Sequence, residues 1–306
     1  MPWEAGLNAL LQGALSCGFT DGLMLGLTML GDEIFVIAVM MVMFWCISKK
    51  TGFKFINIYF CTVAVNSLLK NLVRRPRPFA AYADEVRSIG SPTGGYSFPS
   101  GHTNSITTVG TLFCNEYKKQ LKVFLPVAAA LVFIVAFTRL YLGQHYLTDV
   151  LAAAVIAIAL TYALGKAYAL LGDKEERLGF VLVPAAIVIS VVVSVVSADP
   201  STLGKTLRVT GVMSSLYIGY FVEKRYFRYD VTARLSVQIL KCLIGATVAF
   251  GIYFGLDLAF AFDGTFWLHG WFRFFLLGAW LTIGAPALFR LLRLEGKKEK
   301  ELIKNG

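Results

Sequence analysis

Residues 123–137 read VFLPVAAALVFIVAF, a stretch without a single charged side chain. Two further stretches, 34–46 and 180–197, are equally free of charge. A helix needs about 20 mainly apolar residues to cross a bilayer, and such stretches reach or approach that length. The whole chain is 57% hydrophobic and 16% charged, whereas soluble domains have about 45–50% apolar and about 25% charged residues. The sequence therefore predicts an integral membrane protein.

Apolar stretches of this kind recur along the 306 residues and predict an all-α, polytopic transmembrane bundle of about nine spans. The predicted spans are 31–48, 53–72, 102–117, 122–140, 146–171, 179–198, 208–222, 235–257 and 270–290. Residues 5–29 are also apolar but are interrupted by several glycines and by Asp21. This pattern favours an interfacial helix over a tenth span.

Lysine and arginine are distributed unevenly over the alternate loops. One side holds 18 of the 29 cations, including those of the C-terminal tail, and the other side holds nine. Since cytoplasmic loops carry the excess of positive charge, the first side and the C-terminus are predicted to be cytoplasmic. Six of the nine cations on the extracytoplasmic side lie within 70–139, so they need a reason other than topology.

The net charge of +10 and the five cysteines suggest no further class of protein. No basic amphipathic stripe or nucleic-acid motif accompanies the charge, so we expect no nucleic-acid partner. The cysteines are scattered without a Cys-x-x-Cys pair. We therefore expect no disulfide framework, no metal site and no cofactor.

The first polar motif is KNLVRRPRP, residues 70–78, at the end of the second predicted span. Lys70 and Arg74 lie four residues apart and share a helix face, and the two prolines then end the helix. A row of cations at a span end can be a snorkelling membrane flank. It can also bind an anion.

The second motif is GYSFPSGH, residues 95–102, which leads into the third span. A Pro-Ser-Gly turn at a helix start leaves backbone N–H groups free to bind an anion. Ser100 adds a hydroxyl, Gly101 permits close approach of the backbone, and His102 could donate a proton. The plainer alternative is a helix cap beside an interfacial histidine.

The third motif is TRLYLGQHYLTD, residues 138–149, which joins the fourth and fifth spans. His145 and Asp149 would lie on one face of the fifth helix. A carboxylate there can accept one ring N–H and leave the other nitrogen free to attack. Arg139 offers a planar fork for phosphate oxygens. An aspartate entering an apolar span is costly without a partner, which weakens the alternative of a simple cap.

The three motifs together suit phosphoryl transfer. That reaction concentrates negative charge on three equatorial oxygens, which fixed cations and backbone donors can stabilise without a metal. One histidine can attack phosphorus and another can protonate the leaving oxygen. Two of the three histidines in the chain lie in these motifs.

At these residues the chain resembles the type 2 phosphatidic acid phosphatase and vanadium haloperoxidase superfamily, over about residues 30–170. The pattern of that superfamily is Lys-x6-Arg-Pro, then Pro-Ser-Gly-His, then Ser-Arg-x5-His-x3-Asp, and the chain departs from it only at Thr138. The resemblance implies that His145 is the nucleophile, that Asp149 orients it and that His102 is the general acid. The residues implied to bind phosphate are Lys70, Arg77, Ser100, Gly101 and Arg139.

The resemblance, together with the hydropathy and charge pattern, predicts the domain organisation. We expect an interfacial N-terminal segment at 1–30 and a phosphatase core with a six-helix plan at 31–172. A C-terminal transmembrane extension would follow at 173–292 and a cytoplasmic charged tail at 293–306. The aromatic segment 260–273 is interpreted as an interfacial belt that includes His269, with a wall or lid over the substrate as the sharper hypothesis.

The predicted function is a metal-independent membrane phosphatase that hydrolyses a lipid phosphate through a phosphohistidine. The substrate would be phosphatidate-like, polyprenyl or sphingoid, and lipid diphosphates stay open. We place the protein in the cell membrane with its active site outside the cytoplasm, and the sequence leaves its oligomeric state open. The alternative is a phosphatase of a soluble phosphomonoester, such as a sugar phosphate. Two further function classes are disfavoured. A vanadium haloperoxidase would resemble a soluble helical bundle, which this chain does not, and a channel or transporter that only binds an anion would need no nucleophile with an orienting carboxylate.

Overall fold

The computed structural model describes residues 2–196, 200–259 and 268–295. The regular secondary structure of these residues is helical and includes no strand. This confirms the predicted all-α class. The first eight α-helices are α1 Pro2–Leu15, α2 Gly18–Thr28, α3 Glu33–Val42, α4 Lys49–Val73, α5 Pro78–Ala81, α6 Gly101–Glu116, α7 Leu121–Tyr141 and α8 Leu147–Leu171.

The remaining α-helices are α9 Gly179–Val196, α10 Pro200–Val222, α11 Leu235–Ala259, α12 Leu268–Ala279 and α13 Ala285–Leu291. Three π-helical turns, Met43–Ile47, Glu223–Phe227 and Trp280–Gly284, continue α3 and α10 and join α12 to α13. Short 3-10 turns lie at Met29–Gly31, Lys118–Gln120 and Glu175–Leu178. The predicted aromatic segment lies mostly outside the described residues, as do the side chain of His269 and most of the charged tail.

Five of the described helical segments are long and apolar enough to cross a membrane. They are Lys49–Ala81, Lys118–Tyr141, Leu147–Leu171, Leu235–Leu256 and Gly270–Leu291. The segments Gly18–Gly31 and Glu33–Ile47, bent by 48°, would form a sixth if they count as one broken span. The chain is thus a multi-pass membrane protein, and the number of nine spans stays a prediction.

The described helices belong to two compact units. Unit 1 comprises Met1–Met40 and Lys54–Leu170, and unit 2 comprises Met41–Phe53 and Leu171–Gly306. In unit 2, the buried indole N–H of Trp45 donates to the carbonyl of Leu281 at 2.8 Å, and the backbone carbonyl of Trp45 accepts from the hydroxyl of Tyr229 at 3.1 Å. These bonds tie distant parts of unit 2 together, because lipid-embedded polar groups must find partners within the protein.

Inside unit 1, small and hydroxyl side chains let the helices approach closely. A β-carbon on Gly110 of α6 would lie 2.8 Å from the β-carbon of Ala128 of α7. Between α4 and α6, Thr62 and Thr108 share a hydrogen bond of 3.1 Å. Such contacts are typical of helix packing in membranes, where close van der Waals contact replaces the hydrophobic effect.

The outer face of α7 is apolar, with Phe133 70% exposed. The same helix buries Thr138 and Arg139 in its last turn. This distribution is the reverse of that in a soluble bundle and suits a helix surrounded by lipid. The polar motif residues of α7 therefore lie at one end of the helix.

Helices α1 and α2 occupy the region for which the sequence favoured an interfacial helix. At 14 and 11 residues, neither is long enough to span a bilayer alone. Helix α1 turns its polar residues inward, where Glu4 and Asn8 are fully buried, while Trp3 and Leu10 are more than half exposed. Its polar face therefore packs on unit 1 and its apolar face points away from it.

Candidate active site

The site lies where four helix ends of unit 1 meet. Lys70 is in the last turn of α4, Arg139 in the last turn of α7 and Asp149 in the first turn of α8. Ser100 is the N-cap of α6. His145 lies in the turn between α7 and α8, which Gly143 permits because its φ is +71°.

His145 and Asp149 form the predicted pair. Both are buried, with the ring Nδ1 3.5 Å from the carboxylate Oδ2. The backbone N–H of Tyr146 donates to the same oxygen at 2.9 Å. A proton on Nδ1 would face the carboxylate and leave the lone pair on Nε2. Nε2 lies 3.3 Å from Nη1 of Arg77, which can donate to it.

The pKa of His145 lies well below its ordinary value, first because the ring is buried and then because nearby cations oppose another positive charge. These cations are Arg139, Lys70 and Arg77. A lowered pKa keeps the imidazole neutral at neutral pH, which is the form a nucleophile requires. His102 lies near the same three cations, so the structure brings both predicted histidines to one positively charged site.

Lys70 and Arg77 also bind the loop that leads to α6. The Lys70 ammonium donates to the carbonyls of Tyr96, Ser97 and Pro99 at 2.5–3.3 Å. The Arg77 guanidinium donates to the carbonyls of residues 94, 95 and 144 at 3.0–3.1 Å. Both cations therefore hold the loop as well as facing the site.

Arg139 is buried, and its Nη1 donates to the hydroxyl of Thr28 at 3.0 Å. Its Nε lies buried without a hydrogen-bond partner among the described residues. A buried donor without a partner is costly. An anion in the site could accept from it. Gly31 packs closely against His102, since a β-carbon on Gly31 would lie 2.8 Å from the His102 carbonyl oxygen.

The start of α6 has the form expected of an anion site. The Ser100 hydroxyl is buried and accepts from the hydroxyl of Thr103 at 3.0 Å. Gly101 has open space where a side chain would begin, and the first N–H groups of a helix lack partners within it. The Ser100 N–H is used otherwise, since it donates to the carbonyl of Asp149 at 3.1 Å.

Thr138, the one departure from the superfamily pattern, is fully buried. Its hydroxyl donates to the carbonyl of Val135 in the preceding turn at 2.7 Å. The hydroxyl group thus bonds its own helix. No group of three or more His, Cys, Asp or Glu residues within the described chain could hold a metal ion.

Two residues of the motifs have contacts that the sequence did not predict. Arg75 donates from Nη1 to Oδ1 of Asp149 at 2.9 Å. The hydroxyl of Ser97 donates to Oδ2 of Asp149 and lies 3.4 Å from Nδ1 of His145. Both residues lie inside the quoted motifs, and that position was the only feature of the sequence that pointed to a role in the site.

Three residues of α1 also reach the site, far from the motifs in sequence. Glu4 accepts a hydrogen bond from Arg75 at 2.6 Å. Asn8 donates to the carbonyls of residues 140 and 145, and Gln12 to those of residues 87 and 141, at 2.7–3.0 Å. In the sequence, the only sign of this role was the presence of these polar residues within a mainly apolar segment.

Comparison with known proteins gives two family matches. Residues 51–172 match the PAP2 superfamily, and residues 207–298 match the PAP2 superfamily phosphatase, transmembrane extension. Together these matches cover more than half of the chain.

Individual relatives are more distant. The lipid A 4'-phosphatase of Bacteroides thetaiotaomicron is 39% identical over 106 residues, which are 33% of this chain and 46% of that protein. Phosphatidylglycerophosphatase B of Bacillus subtilis is 29% identical over 143 residues, 42% of this chain and 65% of that one. The chain thus spans less than two thirds of either relative. The crystal structure of Aquifex aeolicus LpxE gives a TM-score of 0.45 at 22% identity and covers 53% of this chain and 93% of that one.

Proposed function

Because the chain belongs to the PAP2 superfamily, we propose that it is an integral membrane phosphatase that hydrolyses a lipid phosphate through a phosphohistidine. The observation that carries this proposal is the buried pair of His145 and Asp149. Nδ1 of His145 faces the Asp149 carboxylate at 3.5 Å, while Nε2 lies 3.3 Å from Nη1 of Arg77, one of the cations that would bind phosphate.

In the first step, the lone pair on Nε2 of His145 forms a bond to phosphorus. The bond between phosphorus and the lipid oxygen breaks, and His102, which the bound phosphate would keep protonated by offsetting the nearby cations, gives that oxygen a proton. In the second step, water attacks the phosphohistidine, its proton passes to His102, and the imidazole leaves with its electron pair. The products are the dephosphorylated lipid and inorganic phosphate.

The side chains around the pair have separate tasks in this mechanism. Arg139, with its unpartnered Nε, and the open backbone at Gly101 would bind the equatorial oxygens of the transition state. Lys70 and Arg77 would add positive charge while holding the loop. Asp149 would stabilise the ring as it becomes positively charged.

Three features support a lipid as substrate. The motif residues lie at helix ends, near the depth of lipid headgroups. The bilayer can hold an acyl chain, since each buried CH₂ contributes about 0.8 kcal/mol. The names of both relatives include a lipid phosphatase activity. We place the site on the extracytoplasmic face of the cell membrane because of the loop charges.

The test compares wild type with His145→Ala on phosphatidate, polyprenyl phosphate, a sphingoid phosphate and glucose 6-phosphate in one detergent. We expect kcat/KM to be highest for a lipid phosphate and turnover to vanish in His145→Ala, because the substitution removes the proposed nucleophile. Normal purification of the variant is the control. A soluble sugar phosphate preferred by tenfold or more, about 1.4 kcal/mol of transition-state stabilisation, would select the alternative substrate class.

A further inference from the structure

The carboxylate of Asp149 is held at both of its oxygens. Oδ2 accepts from the Tyr146 N–H at 2.9 Å and from the Ser97 hydroxyl, and Oδ1 accepts from Arg75 at 2.9 Å. Asp149 is fully buried. Its rotation is therefore set from several sides, and Arg75 supplies the only charged donor among its described partners.

Arg75 is itself held by Glu4 of α1. Its Nη2 donates to Oε2 of Glu4 at 2.6 Å, and its Nη1 donates to the hydroxyl of Thr148 at 2.7 Å. Oε1 of Glu4 accepts from both the N–H and the hydroxyl of Thr148, at 2.9 and 2.7 Å. The centroid of the Tyr146 ring lies 3.8 Å from the guanidinium carbon of Arg75. These bonds close a network in which each charged group has partners.

The charges in this network also matter. Arg75 alone would cancel the negative charge of Asp149, and Glu4 restores a net charge of about −1 to the three groups. Burial by itself would raise the pKa of Glu4, but hydrogen bonds from Thr148 and Arg75 outweigh it and hold that pKa below its ordinary value. Glu4 is therefore a carboxylate at neutral pH.

Helix α1 is fixed to the catalytic turn by a second set of bonds. Asn8 donates to the carbonyl of His145 at 3.0 Å and to that of Leu140 at 2.7 Å. The helix therefore contacts both the turn that carries the nucleophile and the network that holds its carboxylate. Residues 2–15 lie outside the segment 51–172 that matches the superfamily.

We propose that Glu4, acting through Arg75, is a positioning residue for the Asp149–His145 pair, so that helix α1 is part of the catalytic unit. This inference rests on the proposed phosphatase function. Helix α1 would then set the orientation and the net charge of the Asp149 carboxylate, which stabilises His145 as the phosphohistidine forms.

The principal variant is Glu4→Gln, which keeps the size and the acceptor for Thr148 but removes the charge facing Arg75. Substitution of residues that orient metal-binding histidines typically costs about 10- to 100-fold in activity, and Glu4 acts on the Asp149–His145 pair in the same way. We expect a fall in kcat of about that size, with little change in KM because the phosphate ligands are untouched. Arg75→Lys keeps the charge but loses the planar fork, and it should be impaired similarly. Glu4→Asp, which keeps the charge, should retain more activity than Glu4→Gln.

Matched controls make the same chemical changes at exposed positions outside the three motifs. Glu85→Gln and Arg177→Lys alter exposed side chains, and both should stay within about twofold of wild type in kcat. The double variant of Glu4→Gln with Arg75→Lys should lose less than the product of the single losses, because both act on one network.

A purely structural role is separated from positioning by vanadate titration, which counts binding-competent sites. We expect Glu4→Gln to bind vanadate with full stoichiometry. A kcat close to wild type, or a loss of kcat equal to the loss of competent sites, would overturn the inference. If Glu4→Gln does not fold, kcat and the vanadate stoichiometry of Arg75→Lys test the inference in the same way. The proposed function fails differently, through a wild type that hydrolyses no lipid phosphate or an active His145→Ala.

Discussion

At the scale of single residues, His145 combines two opposing requirements. In the proposed mechanism the ring must be neutral to act as a nucleophile, yet it lies among the cations that would bind phosphate. Burial and these cations lower its pKa, so the imidazole stays free of a second proton until a substrate arrives. A bound phosphate would offset the cations and favour the positive charge that the ring acquires on attack.

This arrangement predicts how stability depends on pH. His145 has a folded-state pKa below its unfolded value, so below about pH 6.5 the unfolded chain binds a proton that the folded chain does not. Stability from this group is complete above that pH and is lost as pH falls. We expect the apparent melting temperature in detergent to fall less between pH 7.5 and pH 5 in His145→Asn than in wild type. Equal falls at one scan rate would contradict this account.

The sequence identified the motif residues because each motif is short and its spacing is local. It did not identify the partner of Arg75, because Glu4 lies 71 residues away and no local pattern connects the two. Ser97 was quoted within a motif, but the path of the loop 82–100 decides that its hydroxyl reaches Asp149. Long-range polar contacts depend on how loops fold, and periodicity carries no information about that.

At the scale of elements, helix positions were predictable where apolar stretches are long. The predicted span 122–140 corresponds to Leu121–Tyr141, and 146–171 corresponds to Leu147–Leu171. The segment 5–29 was treated as one helix and is instead two, separated near Cys17. The hydroxyl of Thr20 accepts from the N–H of Cys17 at 2.9 Å and starts the second helix, a capping bond that hydropathy does not reveal.

The two faces of α1 lead to a prediction about its place in the bilayer. Its inward face bonds the catalytic turn, while Trp3 is 56% exposed on the outward face. An interfacial helix buries its apolar face by about 5–10 Å. In liposomes, the fluorescence lost in Trp3→Phe should therefore be quenched more by lipids brominated near the headgroup than by lipids brominated deep in the chain.

The difference between wild type and Trp3→Phe isolates this tryptophan from the other four in the chain. Stronger quenching by the deeply brominated lipid would favour the alternative of a tenth span. Absence of quenching by either lipid would place α1 in water and remove the interfacial interpretation.

At the scale of the whole molecule, charge has two distributions that serve different purposes. The loops on the predicted cytoplasmic side hold 18 Lys and Arg residues, the excess that is expected to set the orientation, whereas Lys70, Arg77 and Arg139, predicted on the other side, surround His145. The positive-inside rule then predicts that the site lies outside the cytoplasm. An extracytoplasmic site would reach lipid phosphates of the outer leaflet.

Orientation can be measured with single cysteines at two exposed positions of unit 1, Gly94 and Lys118. Gly94 lies in the loop that Arg77 binds, and its β-carbon position has open space, so a cysteine fits there. Lys118 follows the opposite end of α6, across a helix of 16 residues. The two positions should therefore lie on opposite sides of the membrane.

On a background in which the five native cysteines are replaced, an impermeant maleimide applied to whole cells should label Gly94→Cys and spare Lys118→Cys. Both should react once the cells are permeabilised, which controls for exposure. The physical reason is that the lysines at 118, 119 and 122 belong to the predicted cytoplasmic excess, whereas the arginines near the site are explained by the proposed phosphate binding. Labelling of Lys118→Cys but not Gly94→Cys in intact cells would reverse the topology. The substrate would then have to come from the inner leaflet or the cytosol, although the chemistry at His145 would be unchanged.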